Sequence, residues 1–146
     1  MGDKFYEWVL KHNIGPGMND GWRGRQAPPD TYVPHKNYTG FDGTVGDGWI
    51  PIIDRLATDL IAMGWDRDLH QIKEKFGTLR FYIGHSNDEM EKRIDVAEDE
   101  SAKTCEECGA YGTLKGTGWV VTLCDPCYEK YMAERSARLD EYTKNK

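Results

Sequence analysis

No stretch of eighteen apolar residues occurs in the 146-residue chain, which leaves no transmembrane helix to be read from it. The N-terminal Met-Gly-Asp-Lys-Phe-Tyr-Glu-Trp segment has neither an apolar signal core nor a small-residue cleavage site, so the expected location is cytoplasmic. Positive charge is not in excess: 19 Lys and Arg stand against 25 Asp and Glu, a net charge of -6. A nucleic-acid binder usually shows the opposite balance or a basic stripe. Gly-rich phosphate loops, Gly-x-Ser-x-Gly elbows and His-Glu-x-x-His motifs are all missing. Histidine is scarce, and His12, His35, His70 and His85 lie far apart with no pair at ligand spacing. Together these absences exclude most of the enzyme classes that announce themselves by motif.

Glycine, by contrast, is plentiful and uneven. Eight of the 16 glycines fall between Gly15 and Gly48, with Pro16, Pro28, Pro29 and Pro34 among them, so residues 13–48 read as an irregular arm. Trp22, Tyr32, Tyr38 and Phe41 give the arm an apolar content that a solvated linker does not need. A short helix is expected over residues 4–12, capped by Asp3, with Phe5, Trp8 and Val9 on its inner face. A second is expected over 50–63, where Pro51 suits the first turn, Ile52, Ile53, Leu56, Leu60 and Ile61 line one face, and Gly64 stops it. Residues 69–76 and 79–83 alternate as a hairpin with Leu79, Phe81 and Ile83 facing in. Ser86 and Glu89 have capping-box spacing before a helix over about 87–102. Residues 86–107 hold nine acids and three bases, so the net charge is a local patch.

All four cysteines form one pattern: Cys105-Glu-Glu-Cys108, fifteen residues, then Cys124-Asp-Pro-Cys127. Four thiolates satisfy tetrahedral zinc with no position left for water, so one structural zinc ion is expected on Cys105, Cys108, Cys124 and Cys127. The segment between the pairs looks like a short hairpin, and Asp125-Pro126 suits a helix start. Knuckle, hairpin and helix in that order resemble a treble-clef zinc finger. Treble clefs include HNH-type nucleases, but residues 109–123 offer no His, Asp, Glu or Asn. The expected fold is α+β: a helix packed on a β-hairpin, then a helix and a C-terminal treble-clef-like zinc module. Its boundaries are 1–47 for the N-terminal helix and arm, 48–103 for the core and 104–146 for the zinc module.

Four strings, Gly46-Asp47-Gly48-Trp49, Ile53-Asp54-Arg55-Leu56, Gln71 through Tyr82, and Thr104 through Gly109, together resemble small proteins encoded by tailed phages and prophages. The resemblance covers residues 46–127. It implies a phage origin and an infected host cell, and brings no reaction with it.

The function expected first is non-catalytic: a zinc-binding protein that engages a host protein such as a defence or nucleic-acid-processing factor, with inhibition or activation of that factor both open. Trp22, Tyr32, Tyr38 and Phe41 would anchor it, and Glu98, Asp99 and Glu100 would steer it. The alternative is a nucleic-acid-binding zinc finger using Arg23, Arg25, Lys73, Lys75 and Arg80, with Trp22, Tyr82 and Trp119 as stacking faces. Third comes a metal-dependent hydrolase drawn from the Asp66–Glu74 segment, with His70, Gln71, Lys73 and a distant Asp54 or Asp59. No small-molecule ligand and no membrane contact is expected.

Overall fold

The computed structural model describes residues 3–15, 43–116 and 118–144. Its elements, in chain order, are α1 (Asp3–His12), a 3-10 turn (Asp47–Trp49), α2 (Ile50–Ala62), β1 (Leu69–Lys75), β2 (Thr78–Ile83), α3 (Asp88–Ser101), β3 (Thr113–Lys115), β4 (Val121–Leu123) and α4 (Asp125–Lys144). The chain is thus α+β, with two separate antiparallel two-stranded sheets, β1-β2 and β3-β4. Among the described residues, no helix is long and apolar enough to cross a membrane.

The helices begin and end for local reasons. Pro51 occupies the first turn of α2, where its missing N–H costs no hydrogen bond. At the other end Gly64 takes φ +101°, and Trp65 N–H reaches back to the Leu60 carbonyl at 2.9 Å, so the last carbonyls are satisfied by a left-handed cap. Asn13 closes α1 the same way, with φ +52° and the Ile14 N–H on the Val9 carbonyl at 3.0 Å. The cap of α3 is Asn87 and not Ser86: the Asn87 Oδ1 accepts from Met90 N–H at 2.9 Å.

β1 and β2 are joined by the two-residue turn Phe76-Gly77, since Lys75 pairs with Thr78. Both turn residues have positive φ, +53° and +84°, the geometry that matches the twist of a tight hairpin. Ile72 and Glu74 stand opposite Phe81 and Leu79, while Lys73 stands opposite Arg80 and Gln71 opposite Tyr82. Leu79 and Phe81 are buried and Ile83 is packed against the core, as the alternation predicts. The register is irregular between Leu69 and Gln71, at His70.

One apolar cluster takes in α1 (Phe5, Trp8, Val9), the 3-10 turn (Trp49), α2 (Ile52, Ile53, Leu56, Ala57, Leu60), the hairpin and α3 (Met90, Ile94, Ala97). The N-terminal helix therefore docks on the core through Phe5, Trp8 and Val9, the inner face expected of it. The backbone lying along β2 is that of α3, whereas α2 packs chiefly against α1 and α3. Two bonds seal the α3–β2 contact: Leu79 N–H to Ser101 Oγ at 2.8 Å, and Phe81 N–H to Glu98 Oε2 at 3.3 Å. From the sequence alone, the helix expected on the hairpin is that of residues 50–63, and the structure puts α3 there instead. Helix amphipathicity identifies an inward face but not which inward face meets it.

Candidate metal centre

The cysteine pairs come together as their spacing requires. All four sulfurs lie within 4.8 Å of one another, and Cys108 Sγ is 3.6 Å from Cys124 Sγ. That is far too long for a disulfide and close to the roughly 3.8 Å edge of a tetrahedron with metal–sulfur bonds of about 2.3 Å. A tight turn supplies the first pair: Gly109 N–H bonds the Cys105 carbonyl at 2.9 Å, Cys108 N–H points to Cys105 Sγ at 3.5 Å, and Gly109 takes φ +84°. The second pair straddles the start of α4, with Tyr128 N–H on the Cys124 carbonyl at 2.9 Å.

Burial opposes ionisation of the Cys105 thiol, but N–H donors from Cys108, Cys124 and Glu107 outweigh it and bring its pKa to about 7. A thiol whose ionisation is eased by N–H donors is suited to bind a metal as the thiolate. Cys127 is pushed upward, first by its hydrogen bond with Cys124 and then by burial and the other sulfurs.

Two strips of chain, residues 46–49 and the Phe76-Gly77 turn, clamp this cage to the core. Gly48 N–H donates to the Glu106 carbonyl at 2.7 Å, Gly46 N–H to the Glu106 carboxylate at 3.0 Å, and the Trp49 indole to the Thr104 carbonyl at 2.8 Å. A Cβ on Gly48 would lie 2.0 Å from the Cys105 carbonyl oxygen, so glycine is required at this position of the Gly-Asp-Gly-Trp string because the first cysteine knuckle sits directly on it. From the other side, the buried Thr122 hydroxyl donates to the Gly77 carbonyl at 2.5 Å. A Cβ on Gly77 would meet the Leu114 side chain at 2.4 Å. The tip of the core hairpin is thereby seated on the β3-β4 hairpin.

Phe76, beside Gly77, is 67% exposed although it holds a left-handed backbone conformation, and Trp119, also 67% exposed, lines the same groove with Glu74, Lys75, Gly118 and Val120. The groove has a volume of about 270 Å³. A second depression of about 540 Å³ continues from Trp119 along α4 past Tyr128, Met132 and Leu139.

The other expected site residues divide. Trp22, Arg23, Arg25, Tyr32, His35, Tyr38 and Phe41 lie outside the described residues. Glu98 accepts the Phe81 N–H, and Glu100 is paired with Arg55, so two of the three steering acids are engaged inside the fold while Asp99 is exposed. Burial shifts the Glu98 carboxyl upward. Lys73 and Arg80 face each other across the hairpin, with Lys75 two residues further along β1. Of the distant carboxylates, Asp54 meets His12 and Lys11, and Asp59 meets Arg93. Three of the histidines, isolated in sequence, have carboxylate neighbours in the fold. His12 Nε2 is 2.7 Å from Asp54 Oδ1, His70 Nε2 is 3.4 Å from Asp68 Oδ2, and His85 Nδ1 is 3.7 Å from Asp66 Oδ2. Asp66, Asp68 and His85 offer a second set of converging ligand atoms. Their separation in sequence hid them, since only closure of the hairpin brings residue 85 back to residues 66–68.

Comparison with family models, curated proteins and solved structures returns no match.

Proposed function

We propose that this is a non-catalytic zinc protein that binds a protein partner through the exposed Phe76–Trp119 edge. The ion is zinc, held by Cys105, Cys108, Cys124 and Cys127 in a closed shell whose role is to fold the C-terminal module, as in a treble clef. Zinc supplies four metal–thiolate bonds there, and the chain's own part is to present the sulfurs, lay the knuckle on Gly46–Trp49 and seat the Phe76-Gly77 turn. The observation that carries the binding reading is Phe76. A bulky residue in the left-handed region costs about 1 to 2 kcal/mol relative to glycine, and strain of this kind persists where function requires it. Here it presents a large ring to solvent beside a second exposed aromatic, and exposed apolar patches of that sort mark interaction surfaces. Aromatic anchors dominate interface energetics. The resemblance to phage-encoded proteins makes a host protein the class of partner, and the exposed acids of α3, Glu89, Glu91, Asp95 and Asp99, would set its approach rate.

A second reading has its own observation. Lys73, Lys75, Arg80 and Tyr82 share the outer face of the hairpin, an arrangement of cations and a stacking ring that suits nucleic acid.

Affinity purification of the zinc-loaded protein from host cells, with identification of bound protein and nucleic acid, separates the readings. A host protein retained at high salt by wild type, and lost with Trp119→Ala and with Phe76→Gly, is the expected result. Nucleic acid released at moderate salt would favour the second reading, because phosphate contacts are strongly screened. Turnover of DNA, RNA or a nucleotide, abolished by His70→Ala or Glu74→Ala, would overturn both.

A further inference from the structure

A second group of metal-ligating side chains lies at the opposite end of the core hairpin from the thiolates. We infer that Asp66, Asp68 and His85 form a binding site for one divalent transition-metal cation, with His70 as the residue that positions Asp68.

Three chain segments build it. The turn after α2 brings Asp66 and Asp68, which flank Arg67 at φ +67°. The irregular start of β1 brings His70, and the segment leaving β2 brings Gly84 and His85. The backbone is pinned on both sides of the carboxylates. Gly15 N–H donates to the Arg67 carbonyl at 3.1 Å and Leu69 N–H to the Gly15 carbonyl at 2.9 Å, while Gly84 N–H donates to the Asp68 carbonyl at 3.0 Å. The Asp68 N–H is held by the Asp66 Oδ1 at 3.0 Å. The donors therefore sit on fixed backbone, which is what metal sites require.

The ligand atoms themselves converge without closing on one another. His85 Nδ1 is 3.7 Å from Asp66 Oδ2 and 4.0 Å from Asp68 Oδ2, and one ligand atom from each of the three residues falls within 4.8 Å of the others. Two ligand atoms bound to one first-row ion, at about 2.0 to 2.2 Å each, lie roughly 3 to 3.5 Å apart. A small contraction around a cation would satisfy all three. Asp68 is fully buried while the His85 side chain is 57% exposed, so the cluster has a protein side and a solvent side. On the solvent side Asp66 and His85 border a depression of about 260 Å³, which leaves coordination positions for water or for an anionic oxygen. Room for the cluster depends on Gly84: a Cβ there would lie 1.9 Å from Asp68 Oδ2 and 2.9 Å from His70 Nε2.

Mixed imidazole and carboxylate donors suit Mn²⁺, Fe²⁺, Co²⁺ or Zn²⁺, in contrast to the all-sulfur set, which selects zinc. His70 Nε2 lies 3.4 Å from the same Asp68 oxygen, so its imidazole flanks that carboxylate and would close on it as the site contracts around an ion, the position that partners of metal ligands commonly take. Ion uptake here stands independently of the protein-binding reading, since it needs neither a partner nor turnover.

Co²⁺ alone is the probe. Protein whose cysteine cluster is already filled with zinc is titrated with CoCl₂ and followed by calorimetry and by absorption spectroscopy. The expected result is one further Co²⁺ per chain with weak ligand-field bands and no thiolate charge-transfer band. Asp68→Asn and His85→Ala should each weaken that uptake by about tenfold or more, and His70→Gln by less. His85 is in an exposed segment, so if Asp68→Asn fails to fold, His85→Ala decides. No uptake beyond the cysteine cluster, uptake that carries a thiolate charge-transfer band, or undiminished uptake by folded His85→Ala would overturn the inference.

Discussion

The two halves of this molecule are held together by different physics. Residues 3–15 and 43–103 share one apolar cluster of nineteen buried side chains, so burial there supplies the driving force. From residue 104 onward, buried side chains among the described residues are reduced to Cys105, Thr122 and Leu123. No residue of α4 with a described side chain is buried. A hairpin of three-residue strands and a solvent-facing helix cannot be stable alone. The lesson is that a cysteine cluster stands where a core would be: four sulfurs placed to hold one ion are the C-terminal module's counterpart to the nineteen apolar side chains of the rest.

The strongest way to break that contrast is to take the ion away. A structural zinc contributes on the order of 10 kcal/mol to a small module, so chelation or Cys124→Ser should unfold residues 104–144. The α1–α3 core should stay ordered, as hydrogen exchange resolved by segment would reveal. Simultaneous loss of protection in both halves would show that the core depends on the module. Next in size are changes confined to the core. Phe81→Ala should cost about 3 to 5 kcal/mol in denaturant unfolding, whereas Arg80→Ala, on the outer face, should change stability little. Equal losses would mean that the facing of β2 is misassigned.

An intermediate effect is expected at the joint. Gly48→Ala places a methyl on the Cys105 carbonyl, so the knuckle must move off the 3-10 turn. Metal affinity should fall while the core's own melting stays close to wild type, which parallel zinc competition and thermal scans would record. The smallest effect sits at the α1–α2 contact. Partial burial pushes the Asp54 carboxyl up, but hydrogen bonds from His12 and Lys11 outweigh it and hold the group below its usual 3.8. A lowered folded value adds stability that is present above 3.8 and lost as the pH falls through the folded value. Asp54→Asn should therefore destabilise near neutral pH, and the gap from wild type should close under acid. A gap independent of pH would remove the charge from the explanation.

What could be read in the sequence was whatever one residue or one period settles. Pro51 and Gly64 fix the ends of α2, alternation fixes the facing of Leu79 and Phe81, and the Cys-x-x-Cys spacing fixes the ligand cluster. Choices between near-equals were not legible. Ser86 and Asn87 are both good caps, and only the reach of the Asn87 carboxamide to Met90 N–H decides between them. Phe76 was read as the end of an alternating strand, yet it occupies a turn position that ordinarily goes to Asn, Asp or Gly. Long-range meetings were the least accessible. Gly46 and Gly48 look like part of a loose arm until the knuckle is seen resting on them, and Asp66, Asp68 and His85 look unrelated until the hairpin closes.

The bond from the Trp49 indole to the Thr104 carbonyl has an optical consequence. Trp49 is wholly buried in the core, but its one polar atom is anchored one residue before the first sulfur ligand. Trp49 is therefore placed to report from inside the hydrophobic half on the cysteine half: removing the proposed zinc should free the indole N–H from its acceptor and shift the Trp49 share of the emission, which a Trp49→Phe variant separates from that of the other four tryptophans.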